Sequence, residues 1–518
     1  MPLSLNRSHP RTDPKPGRVK FSSSSCSTRW TWLENALLIF LPGYYILSVR
    51  NFFSMTDALA AMVLVFLGAL LARKRLSAHA NAGLIHTILL LFTVLIFFRV
   101  IWNIYDIDML LVYPDTRDYL RHSALSLFSG EFWFVGERPF VTSLIFKLFK
   151  GNWALLNKVY IISFLGVVLM FGLTVVRFVA GQRERLVMGY VLVYLFSNQQ
   201  CINLWLSCAL SELPAIVMTL MLFSLYGLLY VGRPYLEKSV LIRASAIVVT
   251  GLVLFFYTFT RDTNMYFLFV FMVFVVPIFR GWSARTLTVL LIAGLFFGHH
   301  SALKTSGRWK YPLANVIMWR ILPDAGLRGL FQEDYHLPAD ALVLPCANKW
   351  AYDHCPGKEI LVTCRTCGNY REHPHDWVSL YGMGAYSHFL LTHPGYVLGL
   401  WIRHWNIYNA ELWSYAPDKV KSRRLNDVLF RFPGSISLVS VVATLLFGCI
   451  FLRKYPMILL ALGHACIMGL VSLHGDVMEF VRHYQQAAMT LKISYVLCLV
   501  HMYGEVKVLL LKYVGDKP

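Results

Sequence analysis

Residues 111–149 read LVYPDTRDYLRHSALSLFSGEFWFVGERPFVTSLIFKLF. In the first half of the chain this is the one long segment whose apolar runs are broken by paired carboxylates, arginines and a histidine. Pro114 suits a first helical position, and Asp115 after it lies favourably against the helix dipole. A helix continuing from there carries Asp115, Asp118, Tyr119 and His122 on one side, at i, i+3, i+4 and i+7. Leu120, Ala124, Leu127 and Phe128 form a second, apolar stripe. The pattern predicts a helix lying on a membrane surface, in a loop between spanning helices.

Composition sets the class. Of 518 residues, 57% are hydrophobic and only 15% charged, whereas soluble domains are about a quarter charged. The chain reads as an all-α polytopic membrane protein. Its formal net charge of +20 is spread through the gaps between apolar runs, as the positive-inside rule expects, which argues against a nucleic-acid partner. Residues 1–32, with Arg7, Arg11, Lys15, Arg18, Lys20 and Arg29, read as a basic cytoplasmic tail without a cleaved signal peptide.

Apolar runs long enough to cross a bilayer fall near 33–49, 56–72, 83–103, 153–179, 186–198, 212–231, 244–260, 264–280, 287–300, 435–452, 456–474 and 485–503. That is about twelve spans, with both termini cytoplasmic and a short tail at 504–518. They divide into a spanning region, 33–300, with an external loop at 104–152, then a long loop at 301–434 and a C-terminal spanning region, 435–503. Arg73-Lys74-Arg75, Arg177 with Arg183 and Arg185, Arg233 with Lys238 and Arg243, Arg280 with Arg285, Arg453-Lys454 and Lys507 all land on one side. Lys419, Lys421, Arg423 and Arg424 land on the other, in a loop long enough for the rule to be weak. The Asp115 loop, Ser211-Glu212, Arg261-Asp262, the 301–434 loop and His474–His483 share the non-cytoplasmic face.

Each polar cluster supports two readings. Asp115, Asp118, Glu137 and Arg138 supply the carboxylates that general-base chemistry needs, or decorate a solvated interfacial helix. Arg261-Asp262 stands between TFT and MYFLF with almost no loop, where charges pair or face a cavity. An arginine fork suits a phosphate; an ion pair pinning two helices is the alternative. Asp476, Glu479 and His483 repeat at i, i+3 and i+7 with Arg482 adjacent, as a functional face or as an interhelical salt-bridge cluster. Glu212 at a helix start is explained equally by the dipole. His474 and His483 meet no metal-ligand spacing, so no metal is assigned.

Cys346, Cys355, Cys364 and Cys367 all fall in the long loop. On a non-cytoplasmic face two disulfides are the first expectation, and zinc the second. The tryptophans of WIRHWNIYNAELW at 401–413 point to an interfacial helix returning to the membrane.

Asp-Thr-x-x-Tyr at 115–119, the amphipathic helix after it, Arg138-Pro139, Glu212-x-Pro214, Arg261-Asp262 and the late His-Gly-Asp-x-x-Glu-x-x-Arg-His at 474–483 together resemble the multi-pass GT-C glycosyltransferases. The nearest types are the protein O-mannosyltransferases and the lipid A aminoarabinose transferases. The resemblance implies a GT-C-like helical bundle in a bacterial inner membrane, with its active site facing the periplasm; an endoplasmic reticulum membrane would satisfy the same topology. It implies transfer of a sugar from a polyprenyl-phosphate donor to a glycolipid, glycan or protein acceptor, inverting, with Asp115 as base and no organic cofactor. Arg138, Arg261, Arg482 and His483 are then the groups available to the leaving phosphate, with Asp118, Tyr119, Glu137, Glu212, Asp262, Asp476 and Glu479 around the substrate. Glu137-Arg138-Pro139-Phe140 stands where the family often has Lys-Pro-Pro, and the four-cysteine loop has no counterpart in it. The rivals are a polymerase or ligase of lipid-linked glycans, and a transporter or flippase, for which paired discontinuous helices in two matching halves would be expected.

Overall fold

The computed structural model describes residues 110, 112–136, 138–178, 208–351, 353–362, 376–405, 438–452, 454–475, 477 and 480–515. Among these the secondary structure is helical throughout, and six helices are long and apolar enough to cross a membrane.

In chain order the helices are α1 (Pro114–Ser123), α2 (Phe140–Phe149), α3 (Trp153–Val175), α4 (Glu212–Val231), α5 (Arg233–Lys238), α6 (Val240–Thr258), α7 (Phe267–Val275), α8 (Trp282–Ser306), α9 (Lys310–Val316), α10 (Ala325–Tyr335), α11 (Lys358–Leu361), α12 (Met383–Thr392), α13 (Pro394–Arg403), α14 (Leu438–Ile450), α15 (Pro456–Gly475) and α16 (Phe480–Gly515). The six long apolar stretches are α3, α4, α6, α8, α15 and residues His483–Val506 of α16. The spans expected at 33–49, 56–72, 83–103 and 186–198 lie outside the described residues.

Two expected spans are shorter than a simple crossing. The one at 264–280 is a composite, Asp262–Ile278, of a 3₁₀ turn at Asp262–Tyr266, the nine-residue α7 and a second 3₁₀ turn at Val276–Ile278. Pro277 in that last turn cannot donate to an α-helical ladder. The one at 435–452 is the 13-residue α14. Conversely, the run expected at 287–300 is part of the 25-residue α8, which Gly307 ends in the left-handed region at φ 66°.

Helices α3, α4, α6, α7, α15 and α16 share one apolar core, in which Phe164, Phe171, Phe223, Tyr257 and Phe267 are fully buried. Helices apolar on all sides are what a membrane interior selects. Close approach sets the spacing of α3 and α4: a Cβ on Gly227 would lie 2.3 Å from Cγ2 of Thr174, the small-residue contact that lets membrane helices pack tightly.

The described residues between Leu313 and Phe389 build a second apolar core around Ile317, Ile321, Phe331, Val343, Val378 and Phe389. Cys346 and Cys355 are disulfide-bonded within it; Cys364 and Cys367 lie outside the described residues. Trp401 and Trp405 meet edge to face at 5.0 Å at the end of α13, and the rest of the expected interfacial stretch lies outside the described residues.

Candidate functional site

Helix α1 starts at Pro114, as its sequence predicts, with Asp115 in the first turn. The Thr116 hydroxyl accepts from the Tyr113 amide at 2.9 Å and donates to the Ala209 carbonyl at 2.8 Å, fixing the helix start against the approach to α4. The helix stops at Ser123, so Leu127 and Phe128 do not extend its apolar stripe as expected. The reason for the stop is tertiary: Lys147 of α2 donates to the carbonyls of Ser123 and Leu125 at 2.9 and 2.7 Å. Those carbonyls would otherwise lack partners at a helix end.

Three residues of the expected face, Asp115, Asp118 and Tyr119, share one partner, while His122 turns to the loop before α2. Arg138 reaches back from the loop before α2 and donates to Asp115 Oδ1 at 2.8 Å and to Asp118 Oδ2 at 2.9 Å, with a second bond to Asp118 at 3.3 Å. Its guanidinium also lies 5.6 Å from the centre of the Tyr119 ring. The three charged side chains are about a third exposed, at 31% for Arg138 and 30% for each aspartate. Burial works against the charge of Arg138, but Asp115, Tyr119 and Asp118 outweigh it and hold the guanidinium above its ordinary range. Burial raises the Tyr119 phenol; Arg138 opposes that rise and Glu212 adds to it, so the two sides of the site share one field.

The arginine is aimed by the loop beneath it. His122 is buried, with Nε2 2.8 Å from the Phe132 carbonyl and Nδ1 3.1 Å from the Ser143 hydroxyl. A carbonyl only accepts, so Nε2 carries the proton and donates. Gly136 lies flat against that ring: a Cβ there would come within 2.2 Å of His122 Nε2. The loop leaves a π-helical turn, Glu131–Val135, and passes over His122 to reach Arg138.

Glu212 opens α4 and is buried, as is Arg261, and the two lie 3.8 Å apart with side chains only 1% and 8% exposed. Arg261 also donates to Nδ1 of His483 on α16. Since a guanidinium can only donate, Nδ1 accepts and the His483 ring proton is on Nε2. Glu212 also acts electrostatically on the Tyr119 phenol, so this group lies near the first.

Arg261 and Asp262 do not pair with each other. Arg261 has extended backbone, φ −145° and ψ 145°, so consecutive side chains point opposite ways. Arg261 goes to Glu212 and His483; Asp262 goes to Arg308. The Arg308 fork donates to Asp262 at 2.9 and 3.2 Å and to the Gly136 carbonyl at 2.9 Å. His299 of α8, fully buried, brings Nε2 to 3.1 Å from Asp262 Oδ1. Burial alone would raise the Asp262 carboxyl, but Arg308 and His299 hold it well below the usual carboxylate range.

Residues expected from five separate segments therefore meet: Asp115, Asp118 and Tyr119; Arg138; Glu212; Arg261 and Asp262; and His483. Glu137, Asp476 and Glu479 lie outside the described residues, and Arg482 is placed on α16 by its backbone. Arg308 and His299 are additions that sequence reading missed. The signal for Arg308 is Gly307-Arg308-Trp309, a helix-ending glycine followed by a cation and an interfacial aromatic, inside the expected 301–434 loop. Among the described residues no group of three or more His, Cys, Asp or Glu side chains could hold a metal ion.

Comparison of the chain with protein-family models, with curated proteins and with solved structures gave no match in any of the three.

Proposed function

We propose that this chain is a multi-pass membrane glycosyltransferase of the GT-C kind, moving a sugar from a polyprenyl-phosphate donor to an acceptor hydroxyl on the non-cytoplasmic side of a bacterial inner membrane. One observation carries the reading: carboxylates and arginines from distant segments form two neighbouring clusters of one polar track, Asp115–Arg138–Tyr119 and Glu212–Arg261–His483, at the ends of apolar helices. Intramembrane charges are costly, about 2.5–3.5 kcal/mol each at a helix centre. A chain that collects them in one place has a use for them.

In this reading Asp115 takes the proton from the acceptor hydroxyl. The acceptor oxygen bonds to the anomeric carbon from the face opposite the phosphate. The carbon–oxygen bond to phosphate breaks, and its electron pair leaves with the polyprenyl phosphate. Charge grows on the phosphate oxygens as that bond lengthens, so fixed donors already in place lower the barrier. Arg261 and His483 fill that role, joined by Arg482, while Glu212 keeps Arg261 oriented before substrate arrives. Arg138 holds Asp115 and Asp118 in register through its hydrogen bonds to both. The polyprenyl tail lies against the apolar spans. The twelve-span topology with both termini cytoplasmic belongs to the same proposal, and the Cys346–Cys355 disulfide favours an oxidising compartment for the 313–389 segment.

The test is sugar transfer by the full-length protein in liposomes given a panel of radiolabelled polyprenyl-phosphate sugars and total membrane acceptor. Label moving from one donor to acceptor supports the proposal. Movement of lipid between leaflets with no label transferred from any donor replaces it with a transporter.

A further inference from the structure

A second polar group lies beside the track, on residues that the reaction above does not use. Arg320 projects from a π-helical turn, Ile317–Ile321, and Tyr386 follows another, Val378–Gly382. Such turns are frequent at functional sites. Arg320 donates to the Leu473 carbonyl at the end of α15, one residue before His474, and its charge acts on Tyr386, Tyr396 and His474; the buried Tyr386 hydroxyl has no hydrogen-bond partner among the described residues. The Tyr396 ring stands 6.0 Å from the imidazole of His474. The neighbouring Ser472 donates to the His483 carbonyl at 3.2 Å, so this group adjoins the Arg261–His483 end of the track.

His474 identifies the ligand chemistry. It is 4% exposed. Its Nε2 lies 3.3 Å from the Val397 carbonyl, and a carbonyl only accepts, so the ring proton is on Nε2. That leaves Nδ1 as a buried lone pair, with no donor among the described residues. A buried acceptor without a partner is costly and calls for explanation. Beside it stands Arg320, whose guanidinium donates to the carbonyl of the preceding residue, Leu473.

The group thus offers a donor anchored at the Leu473 carbonyl and an acceptor on the next residue, His474, with Tyr396 against the imidazole and Tyr386 in the field of Arg320. A hydroxyl satisfies both, accepting from Arg320 and donating to Nδ1. A phosphate dianion or carboxylate satisfies Arg320 but brings its own lone pairs against Nδ1. We propose that Arg320, Tyr386, Tyr396 and His474 form a binding subsite for a hydroxylated sugar ring, adjacent to the Arg261–His483 cluster. The subsite rests on the glycosyl-transfer reading for its purpose, since it would hold the sugar whose anomeric carbon is attacked.

The experiment is saturation-transfer NMR on the full-length protein in nanodiscs, with methyl glycosides of a hexose, a pentose and an aminosugar as probes and inorganic phosphate as competitor. Wild type is expected to transfer saturation to at least one glycoside, undiminished by phosphate. Arg320→Gln and His474→Phe are expected to weaken that binding about tenfold or more, the scale of a lost buried hydrogen bond to a charged group. His474→Asn, whose amide oxygen can stand in for Nδ1, should recover part of it. If Arg320→Gln does not fold, as judged by gel filtration, the His474→Phe and His474→Asn pair decides alone. No transfer to any of the three glycosides, equal transfer in wild type and His474→Phe, or displacement by phosphate overturns the proposal. Glycoside binding by a protein that moves no label in liposomes upholds the subsite and removes the transferase reading, so the two fail separately.

Discussion

The guanidinium of Arg308 donates to the carbonyl oxygen of Gly136 at 2.9 Å, joining segments 172 residues apart. The same side chain grips Asp262 with both edges of its fork. Two residues beyond Gly136, Arg138 reaches Asp115 and Asp118. The loop carrying Arg138 is therefore held from above by Arg308 and from below by His122, and the two halves of the polar track are set relative to each other through backbone.

Arg308→Gln is expected to destabilise the protein by about 1.5–3 kcal/mol, the scale of a hydrogen bond to a charged group, because it leaves the half-buried Asp262 carboxylate without its main partner. Arg308→Lys should lose less, since it keeps the charge but not the bidentate geometry. Thermal unfolding in detergent ranks the variants; equal melting temperatures for wild type and Arg308→Gln would show that the fork carries no weight.

Gly136→Ala is predicted to cost about 1–3 kcal/mol, the range for overpacking a filled site, because the new methyl meets the His122 ring at 2.2 Å. Gly130→Ala, six residues earlier with nothing within 4 Å of its Cβ position, is the matched control. Similar melting temperatures for the two variants would contradict the close packing of Gly136 on His122.

Stability should carry an acid limb that depends on Asp262. Its folded-state carboxyl lies below its ordinary value of 3.8. The stabilisation is thus fully present above about pH 4 and is lost as pH falls through the folded value. The melting-temperature gap between wild type and Asp262→Asn should be widest near pH 6 and shrink toward pH 3. A gap that stays constant across that range would mean the carboxylate is not held down by Arg308 and His299.

The Cys346–Cys355 disulfide closes a loop with a sequence separation of 9, which on chain entropy contributes about 2–3 kcal/mol. Reductant should lower the melting temperature of wild type and leave that of the Cys346→Ala, Cys355→Ala double variant unchanged. A double variant still sensitive to reductant would place the responsive bond elsewhere.

Much of this arrangement was legible in the sequence where local rules decide the outcome. Pro114 and the i, i+3, i+4, i+7 spacing set the start and the polar face of α1, and uninterrupted apolar runs set α3, α4 and α15. Length was the weaker guide: Pro277 turns one expected span into a composite, and α8 runs on past its apolar stretch to Ser306. The end of α1 depends on Lys147, a tertiary contact that no periodicity contains. Partners were the least legible. Arg261-Asp262 invited an ion pair, but extended backbone sends the two side chains to different clusters, and Asp262 finds Arg308 and His299 from segments that carried no motif.

The most direct test of the central claim is the rate of sugar transfer by Asp115→Asn in liposomes, with donor binding measured on the same preparation. The asparagine keeps the size of the side chain and removes its basicity. The account predicts donor binding close to wild type, transfer reduced by about a hundredfold to ten-thousandfold, the span of general-base contributions, and inverted anomeric configuration in whatever product wild type forms. Transfer by Asp115→Asn within about tenfold of wild type, below that span, or a product that retains the donor's configuration, would contradict it.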